Sequence, residues 1–137
     1  MLVRNCSGGI VFYGDSVLLL RNEKAEWCFP KGVIRSDEKP EDVALLRVQF
    51  EAGVEAKILS AAGRTNYEFY SITRQKPVCN KIVWYIMRAN ANVVIPNASQ
   101  NFSEGAFYPV EDALNMVTYS QDKSLLMMSY QRYKELV

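Results

Sequence analysis

Trp27-Cys28-Phe29-Pro30-Lys31-Gly32, followed after a polar stretch by Pro40-Glu41-Asp42-Val43-Ala44-Leu45-Leu46-Arg47-Val48-Gln49-Phe50-Glu51-Ala52-Gly53, is where the fold declares itself. Pro30 forces Phe29 into an extended conformation and offers no N–H to a ladder, so a short aromatic strand stops there. Pro40 suits the first helical position, Glu41 and Asp42 put negative charge at a helix N-terminus, and Gly53 supplies a C-terminal stop. The spacing therefore predicts a helix over 40–52. Apolar residues surround most of it, interrupted only by Arg47, Gln49 and Glu51, which predicts a helix covered by other elements.

Before this segment, residues 8–13 and 17–21 read as two strands around a turn at Gly14 and Asp15. After it, residues 54–65 read as a strand ending in a turn at 64–66. Residues 67–72 and 81–87 are β-rich and are joined by a polar loop over 73–80. Residues 90–103, rich in Asn, Ser and Pro, read as a mobile loop with one short strand at 93–95. Helices follow over 110–116 and 120–136, the second with Leu126, Met127, Tyr130, Tyr133 and Val137 as packing candidates. The expected fold class is α+β, an α/β/α sandwich: a mixed central sheet with the first helix on one side and the two late helices on the other.

The 137 residues suit one domain over 1–137, and 49% hydrophobic with 23% charged residues is a globular mixture rather than a disordered one. A net charge of +1 gives the whole molecule no general attraction for nucleic acid or an anionic membrane. The chain has no histidine. That removes Ser-His-Asp and Cys-His catalysis, histidine-bound zinc and an imidazole switch. Cys6, Cys28 and Cys79 are scattered and odd in number, so they read as reduced thiols in a cytoplasmic protein, reactive on the sharper reading and buried on the plainer one. No apolar run approaches bilayer length, and nothing at the start reads as a signal peptide.

The central stretch resembles the Nudix box: a glycine, five residues, a glutamate, seven residues, then Arg-Glu-aliphatic-x-Glu-Glu-x-Gly-aliphatic. Gly32, Glu38, Val48, Glu51, Gly53 and Val54 match, whereas Leu46 stands for the arginine, Arg47 for the first glutamate of the helix and Phe50 for the second. The 27–32 segment resembles the Trp-x-Phe-Pro-Lys-Gly of diadenosine polyphosphate hydrolases in that family. Lys81-Ile82-Val83-Trp84-Tyr85-Ile86 is similar to their Lys-x-Val-x-Tyr-aliphatic strand, and Glu104 with Phe107 to their Glu-x-x-Trp segment.

The resemblance implies a hydrolase (a pyrophosphatase) that splits a nucleoside diphosphate linked to another group, using Mg2+ or Mn2+. Magnesium takes oxygen ligands, and glutamates three and four residues apart share one helix face, so they can converge on such ions. Here that face carries Arg47, Phe50 and Glu51. One carboxylate of three survives, an arginine repels a cation, and a phenyl ring offers no oxygen. The expectation is weak or lost hydrolysis of a dinucleoside polyphosphate-like substrate, or a non-catalytic module that binds a nucleotide or phosphorylated small molecule with no metal at all.

On the catalytic arm, the resemblance assigns catalysis to Glu51 and Glu104, and metal binding to Glu51 and the Gly32 backbone carbonyl. Phosphate and substrate contacts fall to Lys31, Arg47, Lys81 and Tyr85. Each has a plainer reading: a solvated loop lysine for Lys31, strand aromatics for Tyr85 and Tyr67. Arg74, Lys76 and Lys81 form either a basic rim or a solvated hairpin. Arg47 has two readings side by side: an i,i+4 ion pair with Glu51 that fills the metal's space, or a guanidinium that grips phosphate in its place. Glu55 or Glu68 could supply a missing carboxylate, and a homodimer through the sheet edge or late helices stays open.

Overall fold

The computed structural model describes residues 1–137. Its first helix, α1, spans Pro40–Ala52 with Pro40 in its first turn, and it ends at Gly53 in the left-handed region (φ 66°), whose N–H reaches the Gln49 carbonyl at 2.8 Å. Gly53 is used there because a side chain would oppose that backbone angle. Val43, Ala44, Val48 and Ala52 bury one stripe of α1. Leu46 and Phe50 are 59% and 48% exposed, so the helix is apolar all round yet covered on only one side. Both occupy solvent-facing positions where the motif's polar residues would stand.

The sheet is built from β1 (Leu2–Tyr13), β2 (Ser16–Arg21), β3 (Trp27–Cys28), β4 (Lys31–Val33), β5 (Ala56–Ser71), β6 (Lys76–Ala89) and β7 (Glu104–Pro109). Its order is β3-β2-β1-β6-β5, with β4 paired to β1 and β7 to β2. β1 and β6 are parallel; the other pairs are antiparallel. Two helices complete the chain, α2 (Val110–Met116) and α3 (Ser120–Leu136).

Alternate residues of the apolar run in β2 go to opposite cores. Val17 and Leu19 join Phe12, Trp84, Leu126 and Tyr133 under α2 and α3, whereas Leu18 and Leu20 join Val48, Ala52 and Met87 under α1. A strand buried on both faces reads as a continuous hydrophobic run for this reason. The result is an α+β fold in three layers, as the sequence predicts.

Several local expectations are corrected. No turn breaks the chain at 64–66: β5 runs unbroken to Ser71, absorbing register shifts at Ile58/Ser60 and Ala61/Gly63. Residues 93–95 form no strand and are held in place, with the Ile95 N–H on the Ala52 carbonyl and the Asn97 N–H on the Glu51 carbonyl, both at 2.9 Å. Those bonds satisfy the last carbonyls of α1. In α3 the buried set is Leu125, Leu126, Ser129 and Tyr133, while Met127 and Val137 face solvent. The three cysteines are free and buried, and burial pushes the Cys28 thiol up to about 11.

The fold delivers the site by anchoring β4 to β1. Gly8 pairs with Lys31 and Ser7 with Gly32, and the Ser7 hydroxyl donates to the Pro40 carbonyl at 2.8 Å, tying the start of α1 to the same strand. A methyl group at Gly8 would lie 2.4 Å from the Pro30 carbonyl oxygen and 2.5 Å from the Trp84 ring. Gly8→Ala should therefore lower the stability measured by denaturant titration by about 1–3 kcal/mol, as an overpacked core does; an unchanged midpoint would show that β4 is free to move off β1.

Candidate active site and phosphate cleft

Glu51 sits in the last turn of α1 and is 4% exposed. An isolated carboxylate at that depth is costly, so its partners matter. Arg47 Nη2 donates to Glu51 Oε2 at 2.6 Å, and the Lys31 backbone N–H donates to Oε1 at 3.4 Å. Arg47 Nε donates to the Lys31 carbonyl at 3.3 Å. Burial raises the Glu51 carboxyl above its ordinary value, and the charge and hydrogen bonds of Arg47 and Lys31 pull it only part of the way back. The Arg47 guanidinium carbon also lies 5.1 Å from the centre of the Phe50 ring. The two residues that replace box glutamates thus touch each other, one as a cation and one as the ring beneath it.

Arg47 also takes the space beside Gly32. A methyl group placed there would meet Arg47 Cδ at 2.5 Å and Nε at 2.6 Å. Both oxygens of Glu51 are engaged, and no three acidic or thiol side chains of the chain come together. Glu55 lines a separate cavity with Asp42 and Gln49, and Glu68 is exposed on β5. This donor set does not fit a hexacoordinate magnesium ion. Glu38 accepts from the Arg35 backbone N–H at 2.7 Å and so braces the loop before α1.

The remaining sequence candidates separate into groups. Lys31, Gly32 and Arg47 line one cavity of about 280 Å³. Lys81 and Tyr85 line a second, of about 440 Å³, and Cys6 borders both. The Tyr85 hydroxyl donates to Glu41 at 3.1 Å. Glu104 is exposed at the start of β7 and ion-paired to Arg21 at 3.0 Å, with no bond to Glu51. Arg74 and Lys76 sit at the β5–β6 hairpin and line neither cavity, so of that rim only Lys81 faces one.

Sequence reading missed Arg4 and Arg35, which line the first cavity, and a cluster of Glu26, Tyr119 and Asp122 around Lys31 and Tyr67. Tyr67 and Tyr119 stack with ring centres 5.6 Å apart, and Tyr119 donates to Glu26. Burial would lower the Lys31 ammonium, but Tyr67, Cys28, Glu51 and Asp122 outweigh it and hold it above its ordinary value. No spacing in the sequence announces this cluster.

Residues 4–127 match the family model of the NUDIX domain. The chain belongs to the NUDIX family. Its box thus sits on the family's own scaffold, and the family generally uses divalent metals. The MutT4 protein of Mycobacterium tuberculosis is 27% identical over 105 residues, which are 77% of this chain and 41% of that protein. The chain spans about two fifths of the length of this relative. Among solved NUDIX structures, a hydrolase from Clostridium perfringens superposes with a TM-score of 0.76 at 15% identity, covering 98% of both chains. The C. elegans Ap4A hydrolase binary complex gives 0.70 at 18%, covering 96% of this chain and 98% of that one. The NUDIX domain of Shewanella oneidensis NrtR complexed with ADP ribose gives 0.75 at 16%, covering 97% and 90%. At these identities the likeness is one of fold. No helix is long and apolar enough to cross a membrane.

Asp122 gives this region a pH signature. Burial raises its carboxyl to about 6 from 3.8, with Lys31 opposing. The folded state then holds the proton where the unfolded chain has lost it, so this group lowers stability as pH rises from about 4 to about 6. Asp122→Asn should raise the melting temperature above pH 6 and lose that advantage below pH 4. An equal gain at both ends would mean the carboxylate is not destabilised by its surroundings.

Proposed function

We propose that this NUDIX domain is a nucleotide- or phosphometabolite-binding module in which hydrolysis of a nucleoside diphosphate linked to another group is weak or lost. The observation that carries the reading is the state of Glu51. It is the one carboxylate left on the box face, and both its oxygens are held, by Arg47 and by the Lys31 N–H. Loss of two carboxylates from the box removes several kcal/mol of transition-state stabilisation, and each ~1.4 kcal/mol is a tenfold change in rate.

Binding does not need those carboxylates. Lys31 and Arg47 offer charge-assisted hydrogen bonds to phosphate oxygens, with Lys81 and Tyr85 in the adjoining cavity. The Tyr67–Tyr119 pair on the far side of Lys31 offers a π face to a nucleobase. The fold shared with a NUDIX domain that holds ADP ribose supports a nucleotide ligand. The fold shared with an Ap4A hydrolase, and the retained 27–32 segment, support a dinucleoside polyphosphate as the form to try first. Residual hydrolysis would fall to Glu51 and Glu104, both of which are ion-paired to arginine.

Purified protein mixed with dinucleoside polyphosphates and nucleotide sugars, with magnesium or manganese, should show saturable binding and no more than trace product. Fast metal-dependent cleavage that disappears in Glu51→Gln would overturn the reading.

A further inference from the structure

Arg4 from β1, Lys31 from β4, Arg35 from the following loop and Arg47 from α1 line one cleft of about 280 Å³, and no carboxylate side chain lines it with them. The chain as a whole carries only +1, so this is segregation of charge rather than an excess of it. Glu51 lies beneath and pairs with Arg47, and Lys31 has Glu51 and Asp122 near its ammonium, so the unbalanced charge rests on Arg4 and Arg35. Such a concentration of like charge is unfavourable unless an anion or solvent balances it.

The donors are fixed and free at once. Arg4 Nε is held by the buried Asn80 Oδ1 at 3.0 Å, which leaves both its terminal nitrogens without a protein acceptor. Arg47 uses one N–H on Glu51 and one on the Lys31 carbonyl, so three of its five N–H groups remain unclaimed. The Arg35 side chain has no hydrogen-bond or ion-pair partner. A planar fork held from behind and open in front is suited to the oxygens of a tetrahedral anion. Beyond Cys6 the adjoining cavity continues with Arg64 and Lys81, neither of which is ion-paired. Together the two spaces reach the size range of small-molecule sites.

We infer that this track of cations binds a chain of three or more linked phosphates directly, without a divalent metal, Arg4, Arg35 and Arg47 providing the charge that magnesium provides in metal-dependent relatives. The inference deepens the nucleotide-binding reading and rests on it only for the nucleoside attached to that chain. Metal-free binding has a distinguishing sign: excess magnesium neutralises the phosphate chain and competes with the protein, so it weakens binding instead of enabling it. Affinity should also rise with each added phosphate, as further cations come within reach, and fall with added salt.

The test is calorimetric titration of the whole protein in EDTA with orthophosphate, pyrophosphate and inorganic tripolyphosphate, repeated with excess magnesium and with adenosine triphosphate. Affinity should climb from orthophosphate to tripolyphosphate, persist in EDTA and weaken with magnesium. Arg35→Ala, an exposed position whose melting temperature should not move, should cost tripolyphosphate about tenfold in affinity. Arg132→Ala, exposed on α3, should cost nothing. Tripolyphosphate that binds no better than orthophosphate, or binds only when magnesium is present, overturns the inference. Adenosine triphosphate that binds only with magnesium sinks it but leaves the nucleotide reading standing. Tripolyphosphate binding in EDTA with no nucleotide bound supports the cation track and sinks the nucleotide reading.

Discussion

The ion pair between Arg47 and Glu51 holds the site together. Glu51 is buried, and a buried carboxylate is tolerated only when paired and hydrogen-bonded. Arg47 meets that need and, through its second N–H, reaches the Lys31 carbonyl, so one guanidinium joins the last turn of α1 to β4. Breaking a fully buried pair of this kind costs about 3–5 kcal/mol. With the Arg47 side chain 31% exposed, the low end of that range applies. Arg47 also takes the space beside Gly32 and one oxygen of Glu51, and the Lys31 N–H takes the other.

The residues that hold α1 on the sheet are largely different from those at which the chain departs from the box pattern. Val48 and Ala52 lock α1 to the sheet, and Gly53 ends it, while of the replaced positions Leu46 and Phe50 face solvent and Arg47 lies at the edge of the buried stripe, against β4. A glutamate there serves ligands rather than packing. Its replacement leaves the three-layer scaffold intact, and a shared fold does not by itself carry the family's chemistry. Arg47 and Phe50 also support each other through the ring face, so the two changes form one local rearrangement rather than two unrelated losses.

Much of the scaffold was legible in the chain because local rules and burial agree there. Pro40 and Gly53 bracket α1, and the unbroken apolar run in β2 announces a strand covered on both faces. The misreadings fall where one residue sends two messages. Residues 64–66 read as a turn but continue β5 beyond its register shifts, and the apolar Leu46 and Phe50 suggest cover where there is solvent. The cation track was illegible for another reason. Arg4, Lys31, Arg35 and Arg47 come from four separate segments, and only the pairing of β4 with β1 and the packing of α1 against both bring them together. Tyr119 and Asp122 reach Tyr67 and Lys31 from the distant start of α3 in the same way.

The central claim, that a guanidinium stands where relatives gather carboxylates around a metal, is open to direct measurement by titrating Mn2+ into the protein and following its electron paramagnetic resonance signal. Wild-type protein should leave the aqueous Mn2+ signal undiminished, whereas Arg47→Glu combined with Phe50→Glu, which restores a three-carboxylate face with Glu51, should quench it with one-to-one stoichiometry. Saturable one-to-one binding by the wild-type chain, lost in Glu51→Gln, would contradict the account.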